Sequence, residues 1–126
     1  MSKRIMVIDS SLSGVSGDML LGALIDLGAS KSDLDKVSSE ICNVYHNCNS
    51  IKIKIKDVTR SGFNCKYIET EIDEEQIEIK ASRIKRYFKE ILKRLEANDK
   101  TKSIAIKALD ELIEAESKAH GVNDNE

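Results

Sequence analysis

The sequence predicts an α/β (α+β) fold: a small sheet of three or more strands in the order βααββαα, with helices packed on one face. Three observations carry that expectation. Ile5-Met6-Val7-Ile8 is a short apolar run that reads as a buried strand, and it leads through a glycine-bearing turn into a helical pattern. Ile51-Lys52-Ile53-Lys54-Ile55-Lys56 alternates apolar and charged residues without a fault, as a half-buried strand does. Beyond residue 80, two apolar stripes recur at helical spacing.

The first strand is placed at residues 4–9. The helix after it runs from Met19 to Leu27, with Leu20, Ala23, Leu24 and Leu27 at i, i+3, i+4 and i+7, and Gly28 as its stop. Gly22 inside this helix costs roughly 1 kcal/mol relative to alanine, so a close helix–strand approach is expected to offset it. Ser30 or Ser32 caps a second helix whose inner face is Leu34, Val37, Ile41 and Val44; Asn43, Asn47, Asn49 and Ser50 mark its exit. The second strand spans residues 51–58, isoleucines inward and lysines in water. Its parity breaks at Asp57-Val58, the mark of a bulge or an end.

Thr59-Arg60-Ser61-Gly62 reads as a turn and residues 63–72 as the return strand, with Phe63, Cys65 and Tyr67 on one face and Ile68 and Ile72 on the other. An acidic stretch (Glu69, Glu71, Asp73, Glu74, Glu75, Glu78) then gives way to a basic one (Lys80, Arg83, Lys85, Arg86, Lys89, Lys93, Arg94). The third helix lies there, its inner face Ile84, Phe88, Ile91, Leu92 and Leu95. Acid at its start and base toward its end complement the helix dipole, with no ligand needed to explain them. Asn98 or Asp99 caps the last helix, which carries Ile104, Ala108, Leu109, Leu112, Ile113 and Ala119 and ends at Gly121. The last two helices are expected to form an αα-hairpin. Residues 1–121 read as one domain and 122–126 as a polar, frayed tail. A right-handed crossover through the first two helices would let the first strand pair parallel with the hairpin, a pairing the sequence leaves open.

Composition narrows the function classes. A formal net charge of −2 over 126 residues gives no overall pull toward nucleic acid or acidic lipid. In the basic helix only Tyr87 interrupts the charges, whereas single-stranded nucleic acid asks for several stacking aromatics. No apolar run approaches membrane-spanning length. Cys42, Cys48 and Cys65 stand at unrelated spacings, which points to reduced thiols in a cytoplasm rather than a disulfide framework. His46 falls near Cys42 and Cys48, but the spacing matches no metal-ligand pattern, and the three read as loop and core.

Two places could carry chemistry. Strand, glycine turn and helix start in succession leave free N–H groups where an anion or a metal-bound phosphate can sit. The candidates there are Asp9, Ser13, Gly14, Ser16, Gly17 and Asp18, with Ser16 as N-cap. The same residues also suit a plain tight βα connection. They lack the Lys-Ser/Thr ending of a P-loop and the spacing of the three-glycine dinucleotide fingerprint. Glu116 and His120 stand at i, i+4 on one helix face, a spacing at which one carboxylate and one imidazole reach a metal. An exposed Glu–His pair near a helix end is the plain alternative.

The run Ser13-Gly14-Val15-Ser16-Gly17-Asp18-Met19-Leu20-Leu21-Gly22-Ala23-Leu24-Ile25-Asp26-Leu27-Gly28 resembles the opening of the LarC family, the nickel-inserting proteins of nickel-pincer cofactor synthesis. Glu114-Ala115-Glu116-Ser117-Lys118-Ala119-His120-Gly121 is similar to that family's Glu-Ala-Glu-x-Lys-x-His-Gly segment, and Val58-x-Arg60-x-Gly62 fits its basic hairpin turn. The likeness spans nearly the whole chain. Two departures are a stretch without histidine at residues 73–80 and an extra residue between Asp9 and Gly14. Family members are longer, with a His-Phe-His-Glu-rich segment and a C-terminal domain after the His-Gly.

The resemblance implies a nickel chelatase of the lyase class, acting on a pyridinium bisthiocarboxylate mononucleotide with a nucleoside triphosphate and a divalent cation. It implies that nickel is the transferred metal, that the C-terminal domain is a partner, and that this portion alone is inactive. It assigns catalysis to no residue here. The other class to weigh is a non-catalytic α/β scaffold or homo-oligomerisation module supporting another domain.

Overall fold

The structure, a computed structural model, describes residues 5–121, so residue 4 of the expected first strand and the expected tail at 122–126 lie outside it. Ser61 and Gly62 both take positive φ, 50° and 81°. That is the pattern of a two-residue type I′ turn, whose twist matches the strands it joins. The strands are β1 (Cys48–Arg60) and β2 (Phe63–Glu74), paired as a two-stranded antiparallel sheet. Along Ile51–Lys56 the isoleucines are half-buried and the lysines exposed, as the alternation requires. The parity breaks at Asp57, yet β1 continues to Arg60.

The four helices are α1 (Gly17–Asp26), α2 (Lys31–Val44), α3 (Ala81–Arg94) and α4 (Asp99–His120), giving the order ααββαα. This corrects the expected βααββαα and the sheet of three or more strands. Residues 5–9 lie in neither helix nor strand, and Ile5 and Val7 are 86% and 84% exposed. An apolar run becomes a strand only where a sheet edge accepts its hydrogen bonds and a face receives its side chains. The one sheet among the described residues is the hairpin, which supplies neither to this segment. The expected layer of helices on one face of a three-stranded sheet goes with it. No helix among the described residues is long and apolar enough to cross a membrane.

The chain divides into two compact units. The first holds residues 5–30 and 54–69. In it α1 lies so close to β2 that a Cβ built on Gly22 would stand 2.4 Å from the Lys66 carbonyl oxygen and 3.7 Å from Ile68. Gly22 and Ile68 are buried, whereas Leu27, expected on the inner face, is 67% exposed. The helix closes in a Schellman arrangement: Gly28, at φ 102°, donates to Ile25 and Ala29 donates to Leu24, at 3.0 and 2.9 Å. Ion pairs Lys56–Glu69 and Lys66–Asp57 lace the two strands.

The second unit holds residues 31–53 and 70–121. Here α2 packs on α3 and α3 on α4. Ile91 and Leu92 form the buried centre, with Leu34, Val37, Ile41 and Phe88 half-buried. Ser38, buried on α2, satisfies its hydroxyl by donating to the Leu34 carbonyl at 3.0 Å. The α3–α4 connection is tight: Glu96 takes φ 52° at the end of α3, and the Asn98 side chain accepts the Thr101 N–H at 2.8 Å to cap α4. An ion pair of 2.8 Å joins Lys85 to Asp110. At the hairpin's base, Asn47 accepts the Glu75 N–H at 2.9 Å and donates its amide to the Glu75 carboxylate at 3.2 Å. Basic Lys93 and Arg94 occupy the last turn of α3, but its first turn holds no acid, because the acidic stretch ends before the helix begins.

Candidate functional site

The glycine turn forms from its own side chains. The Asp9 carboxylate accepts the Ser11 N–H at 3.0 Å, and Gly14, at φ 72°, donates its N–H to the Ser10 carbonyl at 2.9 Å. Ser16 holds the N-cap position of α1 in extended backbone, and its carbonyl accepts the Leu20 N–H. Its hydroxyl does not cap the helix by accepting. It donates to the Asp18 carboxylate. Asp18 thus sits in the first turn of α1 with its carboxylate engaged by the hydroxyl two residues before it.

These contacts set the electrostatics. The Ser11 hydroxyl, then the Ser11 N–H, holds the Asp9 carboxyl below its ordinary value; the Ser16 hydroxyl does the same for Asp18. Residues 9–18 are all exposed. The corner therefore sets two exposed carboxylates, each engaged by a nearby serine, beside a turn open to solvent. Ser13 and Gly17 shape the turn and are open to solvent, with nothing within 4 Å of a Cβ built on Gly17. A groove of about 730 Å³ lies at the opposite end of α1, lined by Ile5, Met6, Val7, Leu24, Leu27 and Gly28.

In α4 the helical spacing brings Glu116 and His120 together, with Nε2 3.3 Å from Oε2, and both side chains lie open to solvent. His120 ends the helix, where its imidazole also suits the helix dipole, and Gly121 at φ 67° stops the chain from continuing it. Among the described residues no group of three or more His, Cys, Asp or Glu side chains converges on one point. The pair alone therefore offers two ligands and open coordination positions.

The thiols are where sequence reasoning fell short. Cys42 and Cys48 bring their sulfurs to 2.8 Å. Cys48 is buried and Cys42 half-buried. Burial, reinforced by the Cys42 thiol beside it, pushes the Cys48 thiol up to about 11. Their positions on either side of a helix exit were the available signal. His46, between them in sequence, lines a different hollow with Asn43, Arg86, Tyr87 and Arg94.

Comparison with known proteins places the chain. The family model described as nickel insertion protein matches residues 6–126. A relative from Methanosphaera stadtmanae, which carries nickel insertion protein as a provisional name, is 30% identical over 93% of this chain and 29% of its own length. One from Rhodopirellula baltica with the same provisional name is 34% identical over 87% of this chain and 26% of its own length. A third, from Thermotoga sp. strain RQ2, is named pyridinium-3,5-bisthiocarboxylic acid mononucleotide nickel insertion protein. It is 35% identical over 95% of this chain and 30% of its own length. The chain thus spans under a third of the length of these curated relatives. No solved structure matches it significantly. With every residue from 6 onward inside the matched model, this chain belongs to the nickel insertion protein family.

Proposed function

We propose that this chain is the N-terminal part of a cytoplasmic enzyme that inserts nickel into a pyridinium bisthiocarboxylate mononucleotide, in a step that consumes a nucleoside triphosphate. The observation that carries the reading is the family match over residues 6–126, read with the substrate in the Thermotoga relative's name. Nickel is the cargo, and Glu116 and His120 are the groups offered to it here: an imidazole and a carboxylate suit nickel, although softness alone does not select it. With two ligands from this portion, the rest of the coordination comes from the longer protein or from the substrate.

The corner at Asp9, Ser13, Gly14, Ser16, Gly17 and Asp18 serves the phosphate of the mononucleotide or of the cosubstrate. The two carboxylates hold a divalent ion, and the open turn lets the phosphate approach it. Two exposed carboxylates beside the turn, at Asp9 and Asp18, support the metal-bridged form over direct capture. Alone, the chain inserts nothing, since nickel, triphosphate and substrate cannot all be met by two exposed ligands and one turn.

Isothermal titration of nickel into the native chain and a His120→Ala variant tests the reading. Heat is expected for the native chain and none for the variant; equal, negligible heats would remove nickel from this portion. Amide shifts over Gly14–Met19 on adding a nucleotide with magnesium test the corner, and unmoved amides would overturn it. A non-catalytic scaffold is the second reading, favoured by the open apolar side chains of Ile5, Val7 and Leu12. It is separated by silence in both titrations together with self-association on light scattering.

A further inference from the structure

The Cys42 and Cys48 sulfurs are 2.8 Å apart, about 0.8 Å beyond the ~2.05 Å of a disulfide. Both thiols are free. The backbone between them leaves little freedom to separate them. Tyr45 extends α2 by donating to Ile41 at 2.8 Å, and Cys48 donates back to the Tyr45 carbonyl at 2.9 Å. Asn47 is held by its two bonds to Glu75. The entropy of bringing the sulfurs together is therefore already spent by folding. The sulfurs differ in access: Cys42 is half-buried, whereas Cys48 is buried among groups that keep its thiol protonated. Cys65, the remaining thiol, points its Sγ at the Val58 carbonyl, 3.6 Å away.

We propose that Cys42 and Cys48 form a redox modification site: a low-molecular-weight disulfide converts the pair to an intramolecular bond that staples the exit of α2 to the start of β1. Cys42, the accessible sulfur, loses its proton and attacks one sulfur of the external disulfide. A mixed disulfide forms and one small thiolate leaves. Cys48 then loses its proton and attacks the Cys42 sulfur, forming the internal bond and releasing the second small thiolate. Two protons pass from the protein thiols to the two departing thiolates, and two electrons pass from the cysteine pair to the external disulfide. Because the Cys48 proton is hard to remove, the second step is the slower one. The bond would fix His46 and Asn47 in one loop conformation without disturbing β1, which begins at Cys48.

The test is equilibration of the native chain with oxidised glutathione, followed by alkylation, intact mass and peptide mapping. The expected result is a mass lower by two hydrogen atoms, two of the three thiols lost to alkylation, and a Cys42–Cys48 linked peptide that dithiothreitol reopens. Three thiols still alkylatable, a persistent glutathione adduct on the native chain, or a link to Cys65 would each overturn the proposal. A Cys48→Ser variant is expected to stop as the glutathione adduct on Cys42; an adduct elsewhere would overturn Cys42 as the entry point. The native chain alone decides the main claim if that variant fails to fold.

Discussion

At position 22 a methyl group would arrive 2.4 Å from the Lys66 carbonyl oxygen, a backbone atom that cannot swing aside. Alanine there would gain about 1 kcal/mol of helix propensity and lose more through the displacement of α1 from β2. The expected outcome for Gly22→Ala is a net loss of roughly 1–3 kcal/mol, read as a lower urea midpoint with an unchanged slope. The need for a close approach at Gly22 was legible in sequence; its partner was not. The nearest strand in sequence was the run at Ile5–Ile8, and the strand that meets Gly22 comes some forty residues later. Asp18 shows the same limit. Its place in the first turn of α1 follows from order along the chain, but its acceptance of the Ser16 hydroxyl depends on rotamers that one sequence does not specify.

Among the elements, α4 stands out by burying no residue fully over 22 positions, with Ile104 and Leu112 more than half exposed. A helix with so little packed area leans on its ends and on surface pairs such as Lys107–Glu111. Asn98 is its one side-chain cap seen to accept a helix N–H, at 2.8 Å. Asn98→Ala should cost about 1 kcal/mol, measurable as earlier loss of helical circular dichroism on heating. The missing strand makes a second case. Ile5 and Val7 stand open to water, so a double Ile5→Ser, Val7→Ser substitution should leave the unfolding free energy within about 0.5 kcal/mol of the native value. A loss of several kcal/mol on chemical denaturation would mean that the run is buried after all. Alternation identified β1 because it states which side faces inward. A continuous apolar run states only that burial would be favourable, without naming a surface that provides it.

For the whole molecule, the perturbed groups set a stability curve with two shoulders. On the acid side, Glu69 is lowered by its bond to Lys56, and Asp9 and Asp18 by their serines. Their stabilisation is present above the ordinary values of 4.5 and 3.8 and is lost as pH falls through the lower folded values. On the alkaline side, Cys48 is raised from 9.0 to about 11, and Lys66 is raised by Asp57. The folded chain keeps protons that the unfolded chain has released. That contribution is full below about pH 9 and fades as pH rises through 11. Urea midpoints taken with reductant from pH 3 to pH 11 should trace this curve, and Cys48→Ser should flatten its alkaline limb.

Four helices at the right places, the hairpin with its turn, the glycine turn ahead of α1 and the likeness to nickel insertion proteins were all readable from the order of residues. These features rest on local periodicity, on backbone demands at single glycines and on neighbouring residues in the chain. Folding alone reveals that Ile5–Ile8 has no sheet edge to join among the described residues, that Gly22 meets Lys66, and that Cys42 and Cys48 touch. Each of those depends on what lies across from a residue in space, and that partner is supplied by chain closure rather than by the residue's own surroundings in sequence.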